Sequence, residues 1–318
     1  MTSPRQRSFE VRVPASTANL GAGFDCLGLA LELYLTARAT ALIRPGSRTL
    51  ARTRGVGGSA SLPKSPEENL IFRAMRLTAG REDIDLPPVR LAVKNEIPMA
   101  GGLGSSAAAA VAGVALAYAV AGRPISREKA LRYAREIEGH SDNAAAALNG
   151  GLVVTYTGDD ASDVGALRIA WPKMIRVIAV TPALELATKK SRAVLPATLS
   201  RADAVHNLQR SALFVAAITT RRYDLIWEAM RDRLHQSYRE HLVPGFAGVL
   251  ATQQMPGLLG LALSGAGPSV IALATAGFDE IGKAIAAHFE RAGHAATIRF
   301  LEVAQEGVSS LENRPRRR

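Results

Sequence analysis

From Pro98 the chain reads Pro98-Met99-Ala100-Gly101-Gly102-Leu103-Gly104-Ser105-Ser106-Ala107-Ala108, and alanine stays frequent as far as Ala121. A glycine-rich loop running straight into alanine has few ways to fold. The glycines let backbone turn tightly and approach a ligand. The alanines favour a helix, with Ser105 or Ser106 as its cap. Unpaired N–H groups at a helix start form an anion site, so the loop predicts a nucleotide phosphate. It is not a Walker A loop, because no Lys follows Gly104, and its spacing is not that of the dinucleotide fingerprint. A Gly/Ser turn capping a core helix is the competing reading. The Ser105-Ser106 pair favours phosphate, with a hydroxyl left for a metal.

Length and composition narrow the class. The 318 residues suffice for two ordinary domains, and 47% hydrophobic content is enough to bury a core. No apolar run reaches the ~18 residues of a membrane span, and Met1 to Ser8 does not read as a signal peptide. A soluble cytoplasmic protein is expected, with no membrane partner. The lone Cys26 excludes an internal disulfide and a cysteine metal site, and reads as a small buried hydrophobe. The net charge of +11 raises the question of nucleic acid, but it is dispersed, and aromatics make up only 5%. No nucleic-acid partner is expected.

Along the chain, strands are predicted at Phe9 to Pro14, Leu29 to Ala41, Val89 to Lys94 and Leu152 to Tyr156. Ala15 to Asp25 reads as a loop. Helices follow at Asn69 to Ala79, at Lys129 to Glu138 behind a Ser126 cap, and at Asp142 to Leu148. The acidic stretch Gly158 to Gly165 reads as a domain boundary. Beyond it come a strand at Ile175 to Val180 and helices at Arg201 to Thr219, Tyr223 to Leu234 and Gly245 to Gln254. Strands at Leu258 to Leu263 and Ser269 to Thr275 flank a second glycine loop, and a helix at Phe278 to Ala292 precedes a strand at Ala296 to Val303. This order suggests an α+β protein.

Three Gly-rich polar loops therefore stand out, at Asn19 to Asp25, Gly101 to Ser106 and Ser264 to Ser269. In this order they resemble the GHMP kinase superfamily over nearly the whole chain. The run Val13-Pro14-Ala15-Ser16-Thr17-Ala18-Asn19-Leu20-Gly21-Ala22-Gly23-Phe24-Asp25-Cys26-Leu27-Gly28 is similar to the N-terminal signature of the homoserine kinases. Glu138 to Ala145 resembles their substrate stretch. Ala22 and Ser141 stand where proline is common. The resemblance implies a two-domain fold: an ATP-binding domain over 1–160 with a left-handed βαβ crossover, a ferredoxin-like α/β sandwich over 161–305, and a flexible basic tail over 306–318.

The same resemblance implies phosphoryl transfer from ATP, with Mg²⁺, to the hydroxyl of L-homoserine, in threonine biosynthesis. Phosphoryl transfer needs alignment and charge neutralisation more than covalent help. ATP is assigned to Asn69 and to Pro98 through Ala107. The metal is assigned to Ser106 and to a Glu before the His-x-Asp-Asn stretch, where Glu136 matches better than Glu138. Asn19, Asp25, His140, Asp142, Thr188, Arg192, Arg239 and Gly265 are the expected substrate contacts. Arg192 and Arg239 suit the carboxylate, since a guanidinium forks onto two oxygens. Asp25 and Asn19 suit the ammonium. Asp142, His140, Asn143 and Arg192 are the expected catalytic set. Whether Asp142 takes the hydroxyl proton or only positions substrate stays open, because an ordinary Asp is a weak base.

Family members are often dimers, so a homodimer is compatible with the resemblance, although no stretch marks an interface. The alternatives are a sibling kinase of the mevalonate or methylerythritol type, and a non-catalytic protein of the same fold.

Overall fold

The computed structural model describes residues 7–42, 50–55, 65, 67–160 and 163–313. The chain opens with β1 (Ser8–Asn19), β2 (Gly23–Ala41), β3 (Leu50–Gly55), α1 (Leu70–Glu82), β4 (Val89–Asn95) and α2 (Ser105–Val120). It continues through α3 (Arg127–Glu138), α4 (Asp142–Asn149), β5 (Leu152–Thr157) and β6 (Val164–Ile169). Next come β7 (Arg176–Pro182), α5 (Thr188–Ala193), α6 (Arg201–Thr219), α7 (Ile226–Ala229), α8 (Gln236–Arg239) and α9 (Phe246–Leu250). β8 (Leu258–Leu263), β9 (Val270–Ala274), α10 (Phe278–Arg291), β10 (Ala296–Leu301) and β11 (Ser309–Asn313) close it.

The first sheet runs β11-β1-β2-β4-β3, and β5 pairs a different part of β2. Among the described residues its one parallel pair is β3–β4, joined through α1, which is the βαβ crossover of the fold. β2 is long because its two halves serve different neighbours, Leu35 to Ala41 facing β4 and Leu27 to Leu29 facing β5. Behind the sheet lies α2, apolar all round and buried from Ala107 to Tyr118. A Cβ on Gly113 would stand 2.3 Å from the Ile71 carbonyl, so this glycine lets α1 and α2 touch.

The second sheet has the order β10-β7-β9-β8 with antiparallel neighbours, the ferredoxin-like βαββαβ arrangement. α10 packs on it through Ile281, Ile285 and Phe289, spaced four apart. None of the described helices is long and apolar enough to cross a membrane.

Several expectations are corrected. The Ala15 to Asp25 loop shrinks to a turn at 20–22, because β1 runs on to Asn19 and β2 begins at Gly23. Ala15, Ser16 and Thr17 are fully buried and paired with Leu31, Ala30 and Leu29. The small polar residues hid a core strand. The boundary at 160/161 cuts a hairpin, since β6 pairs β5 in the first sheet. The tail from 306 is not free throughout either, because 309–313 pair with β1; 314–318 lie outside the described residues. The helix expected over Tyr223 to Leu234 is cut short to a 3-10 turn at Tyr223–Leu225 followed by α7. Beyond it the Asp232 carboxylate accepts from the backbone N–H groups of Leu234, His235 and Gln236 and turns the chain.

Candidate functional site

The three glycine loops meet. Gly265 N–H donates to the Ala18 carbonyl at 3.1 Å, and Ser269 N–H to Gly101 at 3.2 Å. The Ser264 hydroxyl donates to the Gly102 carbonyl at 2.6 Å and lies 2.8 Å from the Thr17 hydroxyl. Gly102 (φ 79°) and Gly104 (φ 71°) are both left-handed. A Cβ on Gly102 would stand 2.6 Å from the Ser264 carbonyl, and one on Gly104 2.1 Å from Ser16 Oγ. Side chains are excluded here by conformation and by space. The loops border a cleft of about 650 Å³, including space open to solvent.

On one side of the cleft lies the start of α2. Its cap is Gly104, with no side-chain hydrogen bond, so neither serine caps the helix as the sequence suggested. Gly101, Gly102, Gly104, Ser105, Ser106 and Ala107 line the cleft. The first-turn N–H groups lack intrahelical acceptors and carry the positive end of the dipole. The Ser106 hydroxyl donates to Glu138 Oε1 at 2.6 Å. Burial pushes the Glu138 carboxyl above its ordinary range, against the opposing pull of the Ser106 hydrogen bond and His140. A carboxylate held this way beside a hydroxyl is a hard-oxygen pair that suits a divalent cation. Among the described residues no group of three or more His, Cys, Asp or Glu could hold a metal. Phosphate oxygens would have to complete the shell.

Glu136 stands apart from Ser106. It is an exposed residue of α3 that bonds Arg81 of α1 at 2.8 Å, and it does not line the cleft. Helix phase explains the difference: Glu138 continues the buried row Ala130–Ala134, and Glu136 lies off that row. Asn69 lies away from this cleft. It is buried and caps α1, accepting from Ile71 N at 3.0 Å and Phe72 N at 3.4 Å, and it does not line the cleft. Leu103 is fully buried in the core, and neither it nor Met99 lines the cleft.

The other side is a charge cluster. Arg192 on α5 grips Asp25 at the start of β2 with two bonds, Nη1–Oδ2 at 2.9 Å and Nη2–Oδ1 at 2.6 Å. Arg239 is buried to 1% exposure, with Nε donating to the Ser191 carbonyl at 3.1 Å and Nη1 to the Gly265 carbonyl at 3.0 Å. Burial, then the Arg192 charge, pulls its pKa down to about 10, so it stays cationic near neutrality. The Phe24 ring lies 5.5 Å from the Arg192 guanidinium and 5.4 Å from that of Arg239. Asn19 Nδ2 donates to the Gly265 carbonyl at 3.0 Å, while its Oδ1 accepts from Asp25 N at 3.1 Å. One lone pair of that oxygen is left for a ligand. Thr188 and Gly265 complete this wall.

Between the two sides lies the start of α4. Asp142 Oδ1 accepts from Asn143 N at 2.7 Å and lies 3.0 Å from His140 Nδ1. The Ser16 hydroxyl donates to Asn143 Oδ1 at 2.9 Å. Burial opposes protonation of His140, yet its bond to Asp142 and the Asp142 charge lift its pKa above the ordinary value. Phe24, Glu138 and Ala266 line the cleft beyond the expected set. Glu138 was the less favoured of the two metal candidates in the sequence. Phe24 and Ala266 carried no signal beyond their neighbours in the glycine loops.

Residues 69–151 match the GHMP kinases N terminal domain family. The chain is similar to the homoserine kinase of Deinococcus radiodurans, 45% identical over 271 residues, covering 85% of each chain. It is similar to that of Solibacter usitatus, 40% identical over 94% of this chain and 96% of the relative. Among solved structures it resembles the homoserine kinase of Cytophaga hutchinsonii, with TM-score 0.84 and 27% identity over 98% and 99% of the two chains.

Proposed function

The chain belongs to the homoserine kinase family of the GHMP kinases, and from that premise we propose how its cleft divides the work of phosphorylating L-homoserine with ATP. The product is O-phospho-L-homoserine, and the pathway served is threonine biosynthesis. The triphosphate lies against Gly101 to Ser106 at the start of α2. Ser106 and Glu138 would hold Mg²⁺, which would supply charge neutralisation to the phosphates. Arg192 and Arg239 receive the homoserine carboxylate. Asp25 and the free lone pair of Asn19 receive its ammonium.

In the transfer the substrate hydroxyl oxygen bonds the γ-phosphorus, the bond to the β-phosphate oxygen breaks, and ADP leaves. Asp142 Oδ1 is engaged by Asn143 N and His140, which fixes the carboxylate, and its role is read as positioning the substrate. The proton then passes to the transferred phosphoryl group. The reaction is read as cytoplasmic, where a lone unpaired Cys26 fits a reducing milieu.

One observation carries the assignment of substrate: a bidentate Arg192–Asp25 pair and a buried Arg239 stand in the same cleft as the phosphate loop. A zwitterion matches both signs of that pair, and mevalonate has no ammonium to offer. The test is ADP release with Mg-ATP and homoserine, mevalonate, serine or threonine in turn. Turnover confined to homoserine is expected, and none on homoserine would overturn the reading.

A further inference from the structure

His235 lies just ahead of α8, fully buried, and contributes no atom to the cleft wall. Its two ring nitrogens are both committed. Nε2 stands 2.9 Å from the Gly21 carbonyl, which can only accept. Nδ1 stands 3.0 Å from Arg239 Nη1, which can only donate. Together these bonds define one state: a neutral imidazole with its proton on Nε2. Burial works in the same direction, favouring the uncharged ring. The Asp232 carboxylate, itself tied to Asn207 Nδ2 and three backbone N–H groups, lies 3.8 Å from Nε2.

Gly21 belongs to the turn between β1 and β2 that also presents Asn19, Phe24 and Asp25. That turn is pressed onto the same segment, since a Cβ on Gly21 would stand 2.1 Å from the Met230 carbonyl. The Phe24 ring packs on the imidazole with centroids 5.2 Å apart. The imidazole therefore bridges the ammonium-side turn to the carboxylate-side arginine. Resting on the homoserine kinase reading above, we propose that His235 is a positioning residue for substrate: its Nδ1, kept an acceptor by the Nε2–H bond to Gly21, fixes the Arg239 guanidinium.

Two polar variants separate the two bonds. In His235→Asn the amide oxygen takes the place of Nδ1 and keeps the acceptor for Arg239. In His235→Gln the amide reaches toward Gly21, and the Nδ1 acceptor is lost. A lost hydrogen bond to a charged group predicts that the Gln variant raises KM for homoserine about 10- to 100-fold. KM for ATP stays near wild type in both variants, and the Asn variant keeps KM for homoserine within about threefold. In an Arg239→Lys background, His235→Gln adds little, because the two residues act as one unit. Thermal midpoints recorded alongside identify any unfolded variant. Should the Gln variant not fold, a rise of about tenfold or more in the Asn variant overturns the proposal. So does a rise that is equal in both variants, or that affects ATP as much as homoserine. A wild-type protein inactive on homoserine would instead defeat the functional reading.

Discussion

Arg192 and Asp25 form a two-bond ion pair in one wall of the cleft, 2.9 and 2.6 Å, although 167 residues separate them in the chain. Each is a little over a third exposed, at 36% and 37%, so the pair is screened and adds little to stability. Under the proposed function its significance is for binding. A zwitterionic ligand can part the two charges and satisfy each one. A ligand with one charge leaves a partner unmatched.

Asp25→Asn is expected to raise KM for homoserine by at least about tenfold while shifting stability by no more than ~1 kcal/mol. Steady-state kinetics and chemical denaturation of the same preparation check both halves. A large stability loss with unchanged KM would mean the pair is structural. Likewise 4-hydroxybutyrate, which lacks the ammonium, should be a far poorer acceptor than homoserine.

Glu138→Gln and Glu136→Gln should behave oppositely. The first lowers kcat by about 100-fold or more and weakens the dependence on Mg²⁺; the second leaves both near wild type. The stability sign also differs. The Glu138 carboxyl titrates above its ordinary value because burial disfavours its charge. The resulting stability is full at acid pH and is lost as pH rises through the folded value. Without metal at pH 7, Glu138→Gln should therefore match or exceed wild type in stability. Magnesium titrations followed by melting and by turnover measure this.

Gly102→Ala and Gly104→Ala should each destabilise the fold by more than ~1 kcal/mol, because a left-handed φ and a contact below 3 Å act together. Gly80→Ala is the control: nothing lies within 4 Å of its Cβ, and its helix should gain slightly. Equal effects at the three positions would refute the tight docking of the loops.

His140 gives a pH signature. Asp142 raises its pKa above 6.5 in spite of burial. The stabilisation is fully present below the unfolded value and fades as pH climbs through the folded one. The stability difference between wild type and His140→Gln should shrink from pH 5.5 to pH 8.5. A difference that grows over that range would contradict the ion pair.

Much of the site was legible before the fold. The glycine loop announced an anion site through residue chemistry alone, and Asp142, Arg192 and Arg239 stood in recognisable stretches. Less legible was anything set by phase or pairing. Glu136 and Glu138 are two residues apart, and only the buried row of α3 decides which turns toward Ser106. The stretch Ala15 to Asn19 looked like a loop because its hydroxyls are polar, whereas those hydroxyls find partners inside the core.

By itself the sequence determined the α+β order, the family resemblance, the glycine-rich loop ahead of α2 and the supply of charged groups. These are local properties: periodicity, glycine placement and side-chain chemistry. The tertiary structure decided which of those groups meet. It paired Arg192 with Asp25, set Glu138 and not Glu136 beside Ser106, placed Asn69 at the cap of α1 and set His235 behind Arg239. Such contacts depend on strand register and helix phase across distant segments, and a linear pattern carries no record of the distance between them.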